Sequence, residues 1–173
     1  MKAPQFVHHI HAGPASRGFL FTFAKTITMP FTYNYPRPAL TVDTVLLKKT
    51  GTDDFVLLIK RLHPPFEGCW AIPGGFVEID ELLLDAASRE LFEETGLQGL
   101  ELKQFHTFDA IDRDPRHRTI SVVFTARMHH EQALKAGDDA AEAAWFPVNQ
   151  LPDLAFDHAD ILKKVKDYNH QSL

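Results

Sequence analysis

The sequence predicts a mixed α/β domain, either α+β or a layered α/β/α sandwich. Three observations carry this. Alternating, β-branched runs recur from residue 39 onward, one amphipathic helix interrupts them near residues 81–95, and a second closes the chain. The 173 residues suit a single domain, long enough to bury about 70% of the surface that the unfolded chain exposes. Apolar residues make up 45% and charged residues 24%, the balance of a globular protein.

Charge and cysteine content remove whole classes of function. With 23 acids against 18 bases the chain carries −5, which argues against a general nucleic-acid binder. The single Cys69 excludes an internal disulfide framework and fits a reducing, cytoplasmic setting. No apolar run approaches the roughly 18 residues of a membrane span. Residues 1–42 hold four bases (Lys2, Arg17, Lys25, Arg37) and no acid, so the negative charge belongs to the rest. Residues 1–34 read as a poorly ordered leader, and 35–173 as the patterned domain. Met29 is a second candidate start.

The elements follow in order. Residues 39–47 alternate, then turn apolar, and are rich in β-branched residues, which reads as a strand. A turn over 49–54, with Gly51, leads to a returning strand at 55–59. Pro64-Pro65 marks a loop, and Trp70-Ala71-Ile72 a short strand ending at Pro73-Gly74-Gly75. A helix is expected over about 81–95, with Asp80 as its N-cap and Gly96 as its stop. Strands follow at 100–108 and 119–127, then an acidic loop at 137–142 and a short edge strand at 145–147. Asp157 is placed to cap a final helix carrying Ile161, Leu162, Val165 and Tyr168.

The first helix carries the chemistry. At about 100° per residue, Leu84, Ala87 and Leu91 define the face expected to be buried. Glu90 and Glu94 lie about 40° apart on the flank of that face, with Glu93 beside them. Acids normally sit opposite the apolar stripe. At an effective dielectric near 20, each like-charged pair about 6 Å apart costs roughly 3 kcal/mol, and Arg89 offsets only part of that. Either one carboxylate keeps its proton or a divalent cation is bound. All-oxygen ligands favour Mg²⁺, Mn²⁺ or Ca²⁺ over zinc.

Residues 75–97 then read Gly-Phe-Val-Glu-Ile-Asp-Glu-Leu-Leu-Leu-Asp-Ala-Ala-Ser-Arg-Glu-Leu-Phe-Glu-Glu-Thr-Gly-Leu. This resembles the Nudix box at every defined position: Gly75, Glu81, Arg89, Glu90, Leu91, Glu93, Glu94, Gly96 and Leu97. Trp70 to Gly75 is similar to the family's entry into the box. The resemblance implies a Nudix-type fold and Mg²⁺- or Mn²⁺-dependent hydrolysis of a nucleoside diphosphate linked to another group. It implies Glu90, Glu94 and the Gly74 carbonyl as metal ligands. Glu93 becomes a further ligand or the water-activating base, and Arg89 with Glu81 the pair that orients the glutamates. Many relatives dimerise, so a homodimer is implied as well.

The flanks 35–43, 112–116, 137–142 and 154–158 resemble the ADP-ribose pyrophosphatase branch, which implies cleavage of ADP-ribose to AMP and ribose 5-phosphate. Asp112 and Arg113 stand where that branch often carries a proline, with Pro115 just beyond. Other nucleotide substrates are the first alternative: an oxidised nucleoside triphosphate, a nucleotide sugar or a dinucleoside polyphosphate. The second is a non-catalytic ADP-ribose-sensing regulator, which carries a C-terminal winged helix where only 16 residues follow Asp157 here. Asp139 and Glu142 are candidate bases in the acidic loop. Arg113, Arg116 and Arg118 are candidates for phosphate or ribose, because guanidinium groups suit bidentate oxyanion contacts. Phe76 and Trp70 are candidates for stacking on adenine. Residue His158, beside Asp157, reads as structural.

Overall fold

The computed structural model describes residues 33–135 and 140–171. Seven strands and two helices follow one another as β1 Ala39–Thr50, β2 Asp53–Arg61, β3 Trp70–Ala71, β4 Gly74–Phe76, α1 Leu83–Thr95, β5 Lys103–Phe108, β6 Thr119–Met128, β7 Ala140–Pro147 and α2 His158–Gln171. One mixed sheet runs in the order β3-β2-β1-β6-β5, with β4 paired to β1 and β7 to β2. The β1–β6 pair is parallel, from Ala39 opposite Thr119 to Lys48 opposite Met128, and the remaining pairs are antiparallel. Residues 35–173 form one compact unit. The expected leader lies outside the described residues.

The apolar run in β1 is explained by a helix on each face. Val42 packs with Ala86 and Ala87 of α1 and with Val122 and Phe124 of β6. Leu46 and Leu57 meet Leu91 of α1. On the opposite face Val45, Leu47, Val56, Leu58 and Val123 surround Ile161, Leu162 and Val165 of α2. Strand period decides the partition, because successive side chains point to opposite faces. The result is the α/β/α sandwich expected from the pattern.

Several local expectations need correction. The first hairpin turn tightens to Gly51-Thr52, with Gly51 at φ 63°, so β1 and β2 run longer than the apolar pattern alone indicates. Helix α1 begins at Leu83, its N-cap position is Leu82, and no side chain caps it. Asp80 therefore does not cap; the acid just before the helix that acts locally is Glu81, whose Oε1 accepts the Glu78 N–H at 2.7 Å. Leu84 is 48% exposed, and the buried residues of α1 are Ala86, Ala87, Leu91 and Thr95. The buried stripe is thus turned toward Leu83 and Glu94, because two adjacent alanines let the helix close onto the sheet there. Gly96 does end α1 in the left-handed region, at φ 73°. Part of the expected acidic loop is strand: β7 starts at Ala140 and pairs with β2 along its length. Asp157 accepts the Asp160 and Ile161 amides of α2 on its backbone carbonyl, and its carboxylate is engaged elsewhere.

Candidate active site

A cavity of about 490 Å³ opens between the β3–β4 segment, α1 and the β5–β6 connection. One wall is acidic. Glu94, on the buried stripe of α1, accepts the Gly74 N–H on Oε2 at 2.9 Å. Burial pushes its carboxyl up to about 8, with Glu90 and Asp43 adding to the effect against the Gly74 bond. Glu90 is also raised by burial, and its ion pair with Arg89, at 2.7 Å, works the other way. Glu93 is more exposed and touches Arg89 Nη1 at 3.1 Å. Arg89 binds Glu81 through two bonds of 3.0 and 2.6 Å and donates to the Phe76 carbonyl. One guanidinium thereby spaces three glutamates and ties them to the entry of the helix. A bidentate fork of this kind needs arginine, since lysine offers a point charge without the plane.

Glycines let the strand approach these acids. A Cβ on Gly75 would fall inside 3.0 Å of the Glu90 carboxylate. On Gly74 it would strike the Val42 carbonyl and the backbone of Asp43. Both positions require hydrogen for contact reasons, since neither residue has a positive φ.

The other wall is cationic and aromatic. Arg61 leaves β2 and donates to the Pro65 and His63 carbonyls at 2.9 and 3.2 Å. No carboxylate lies within ion-pair distance of it among the described residues. Burial, and then the neighbouring Arg116, lower its pKa. Arg116 is bidentate on Asp114 and lies 5.3 Å from the Phe76 ring and 5.7 Å from Phe156. For Asp114, burial works upward, yet the Arg116 and Thr119 hydrogen bonds outweigh it and hold the carboxyl at about 2. Arg61 sits 5.0 Å from the same Phe156 ring. Glu94 and Asp114 act on Arg61 in the opposite sense without reaching ion-pair distance, and a half-buried guanidinium with no closed ion pair facing a cavity has the electrostatics of an anion receptor.

Not every candidate residue arrives here. Phe76 lines the cavity with its ring 43% exposed. Arg113 lines it too, but its side chain is 5% exposed and its fork is closed on Asp157 at 2.9 and 2.7 Å, so it holds the fold rather than offering itself to an anion. Arg118 donates to the Ala110 and Thr119 carbonyls and does not line the cavity. Trp70 does not line it either; its ring packs edge-on against Phe146 at 4.6 Å in the core under α2. Glu142 is exposed on β7 opposite Lys60, away from the acidic wall. Asp139 lies outside the described residues. Asp43, Arg61 and Phe156 were not among the candidates. Asp43 had a signal, an acid within an otherwise apolar strand. Arg61 and Phe156 had none, because only the return of distant loops brings them together.

Residues 37–165 match the model of the NUDIX domain family. This chain belongs to the Nudix family. It is a Nudix pyrophosphohydrolase, as the complete box over residues 75–97 led one to expect. Among relatives of this Nudix hydrolase, the ADP-ribose pyrophosphatase of Methanocaldococcus jannaschii is 47% identical over 129 residues, which are 75% of this chain and 73% of that one. The ADPR responsive transcriptional repressor NtrR of Acinetobacter baylyi is 33% identical over 135 residues, 76% of this chain but 54% of the repressor. The NUDIX domain of Shewanella oneidensis NrtR, solved in complex with ADP ribose, superposes with a TM-score of 0.73 at 31% identity, covering 78% of this chain and 90% of that one. The Nudix hydrolase thus lies on the ADP-ribose pyrophosphatase branch.

Proposed function

We propose that this hydrolase cleaves the diphosphate bond of ADP-ribose, giving AMP and ribose 5-phosphate, with Mg²⁺ or Mn²⁺ as cofactor. The observation that carries the substrate is one cavity holding both walls: Glu90 and Glu94 on α1, and Arg61 with Arg116 beside Phe76 and Phe156. The 47% identity to an ADP-ribose pyrophosphatase supports the same reading.

The donor set fits a hard cation. Glu90 and Glu94 are partly or largely buried, both are raised by burial, and each has one oxygen that takes no hydrogen bond among the described residues. Among those residues no three acidic, imidazole or thiol groups are already drawn into one coordination sphere. Glu90, Glu93, Glu94 and the Gly74 carbonyl would hold the ion. Such a cation supplies charge neutralisation on the diphosphate and a more acidic water. The chain's own residues do the rest. Arg89 and Glu81 hold the glutamates in register, and Glu93, the most exposed of the three, takes the proton from the attacking water. Arg61 meets the phosphate anion, and the faces of Phe76 and Phe156 bound the volume open to the base or ribose. The lone Cys69 supports a cytoplasmic setting, and a homodimer completes the reading, checked by light scattering.

Hydrolysis is favoured over the sensing reading because Glu81, Arg89, Glu90, Glu93 and Glu94 are all present. The test is a Mg²⁺- and Mn²⁺-dependent comparison of ADP-ribose, NADH, diadenosine polyphosphates and 8-oxo-dGTP by kcat/KM. ADP-ribose is expected to lead, with AMP and ribose 5-phosphate as products. Preference for another compound overturns the substrate. Operator-type DNA binding without hydrolysis of any nucleotide overturns the enzyme reading.

A further inference from the structure

Under the acidic wall lies a group of buried polar side chains that the proposed reaction does not use. His158, the first residue of α2, is 4% exposed. Its Nδ1 accepts the Ile72 N–H at 2.9 Å. A backbone amide is always the donor, so Nδ1 carries no proton and the neutral ring bears its hydrogen on Nε2. That nitrogen faces Asp43 Oδ1 at 3.7 Å. Asp43 also accepts the Ser121 hydroxyl and lies 3.8 Å from Arg113. Arg113 closes its fork on Asp157, the residue before His158. No buried side-chain polar atom is left without a partner among the described residues.

This group acts on the backbone that leads to the glutamates. Between β3 and β4 the chain leaves the ladder at Ile72 and Pro73 and rejoins it at Gly74, and these three successive residues are tied one by one. Ile72 is held by His158, the Pro73 carbonyl accepts from Thr44 N–H at 2.8 Å, and Gly74 N–H is on Glu94. Of these three ties, two run to main chain or to Glu94 itself. His158 is the remaining one, and it comes from the far side of the sheet. Losing its acceptor would leave the Ile72 amide buried and unpaired, and the segment would shift to find a new partner. Gly74 is two residues further on, opposite Asp43 in the β1–β4 pairing and bonded through its amide to Glu94, so a shift of Ile72 reaches that amide through two peptide links.

We propose that His158 is a positioning residue: its Nδ1 sets the Ile72–Gly74 segment, and through the Gly74 amide it orients Glu94. This rests on Glu94 belonging to the reaction centre, as proposed above. The test compares His158→Asn, whose side-chain oxygen reproduces an acceptor near Nδ1, with His158→Gln, which moves the acceptor outward toward Asp43. With ADP-ribose, the Asn variant is expected to keep kcat within about threefold, and the Gln variant to lose about tenfold or more with little change in KM. In ¹H–¹⁵N spectra, Gly74 amide protection from exchange is expected to survive in the Asn variant and fall in the Gln variant. Equal behaviour of the two variants in both readouts overturns the proposal. The imidazole ¹⁵N spectrum of the unmodified protein needs no variant, and a protonated Nδ1 overturns it alone. Glu94→Gln is the control that separates the two readings. If that variant is impaired while His158→Gln is not, the His158 role fails by itself. Should Glu94→Gln turn over normally, the reading of the reaction centre has failed first.

Discussion

Glu94 shows how one residue joins stability to activity. Its carboxyl ionises near 8 in the folded protein against 4.5 for the free group, because burial penalises the charge. A raised folded value means the metal-free native state binds the proton more tightly than the unfolded chain does. This group's contribution is therefore fully present below pH 4.5 and is lost as pH rises through about 8. Glu94→Gln keeps an acceptor for Gly74 without the charge. In metal-free protein it is expected to be more stable at pH 8 by about 3 kcal/mol, and to show a flatter dependence of Tm on pH from 5 to 8.5. The same variant is expected to lose about a hundredfold or more in kcat, read in the ADP-ribose assay. Arg61 makes the opposite kind of residue-scale prediction. Arg61 lines the cavity with no carboxylate at ion-pair distance among the described residues, so its replacement by alanine should raise KM for ADP-ribose about tenfold or more, with a smaller change in kcat.

Elements set which face of each segment meets the site. The buried stripe of α1 is centred on Ala87 and Leu91, and its line runs on to Glu94. Urea denaturation should show Leu91→Ala costing about 3 kcal/mol. Leu84→Ala, on the exposed side, should cost no more than about 0.5 kcal/mol. The glycines at the β3–β4 junction separate fold from function in a similar way. An added methyl at Gly74 meets backbone, so Gly74→Ala is expected to destabilise the protein by several kcal/mol, on the order of other overpacked core positions. At Gly75 the methyl meets only the Glu90 side chain, which can swing away. Gly75→Ala should remain folded by circular dichroism and lose turnover, because Glu90 is pushed off Arg89.

At the scale of the molecule, the mixed sheet explains why the two walls come from remote parts of the chain. Parallel pairing of β1 with β6 sets Thr119 opposite Ala39 and Ser121 opposite Thr41, with Arg113 reaching to 3.8 Å from Asp43, and antiparallel pairing of β1 with β4 carries Gly74 and Gly75 to the same stretch of β1. Helix α1 covers one face and α2 the other, so the acids approach from one side of the sheet and His158 from the opposite side. All of this is built within residues 35–173, which form one compact unit. A chain begun at Met29 is accordingly expected to fold with a Tm within a few degrees of the full chain and with unchanged kcat/KM; scanning calorimetry and the ADP-ribose assay check both.

Local pattern was enough for the sandwich, for most elements and for the family. The two-residue and 3.6-residue periods are properties of short segments, and the box, which runs from β4 through α1, concentrates seven acids and one base in residues 75–97. The cation-binding wall was legible for the same reason, since its carboxylates share one helix. What no segment could express was which charges remain free once the chain has closed. Arg113 and Arg61 are equally good anion ligands on paper. Tertiary structure spends the first on Asp157 and leaves the second facing the cavity, because salt bridges form between groups that only the packing of α2 against the sheet brings together. Trp70 and Glu142 were turned away from the site by the pairing of β2 with β3 and β7, a matter of long-range register. Composition could state that acids exceed bases; the fold decided that part of the excess lies against the core, where burial, with Glu90 and Asp43 adding to it, favours a proton on Glu94 until a stronger positive charge replaces it.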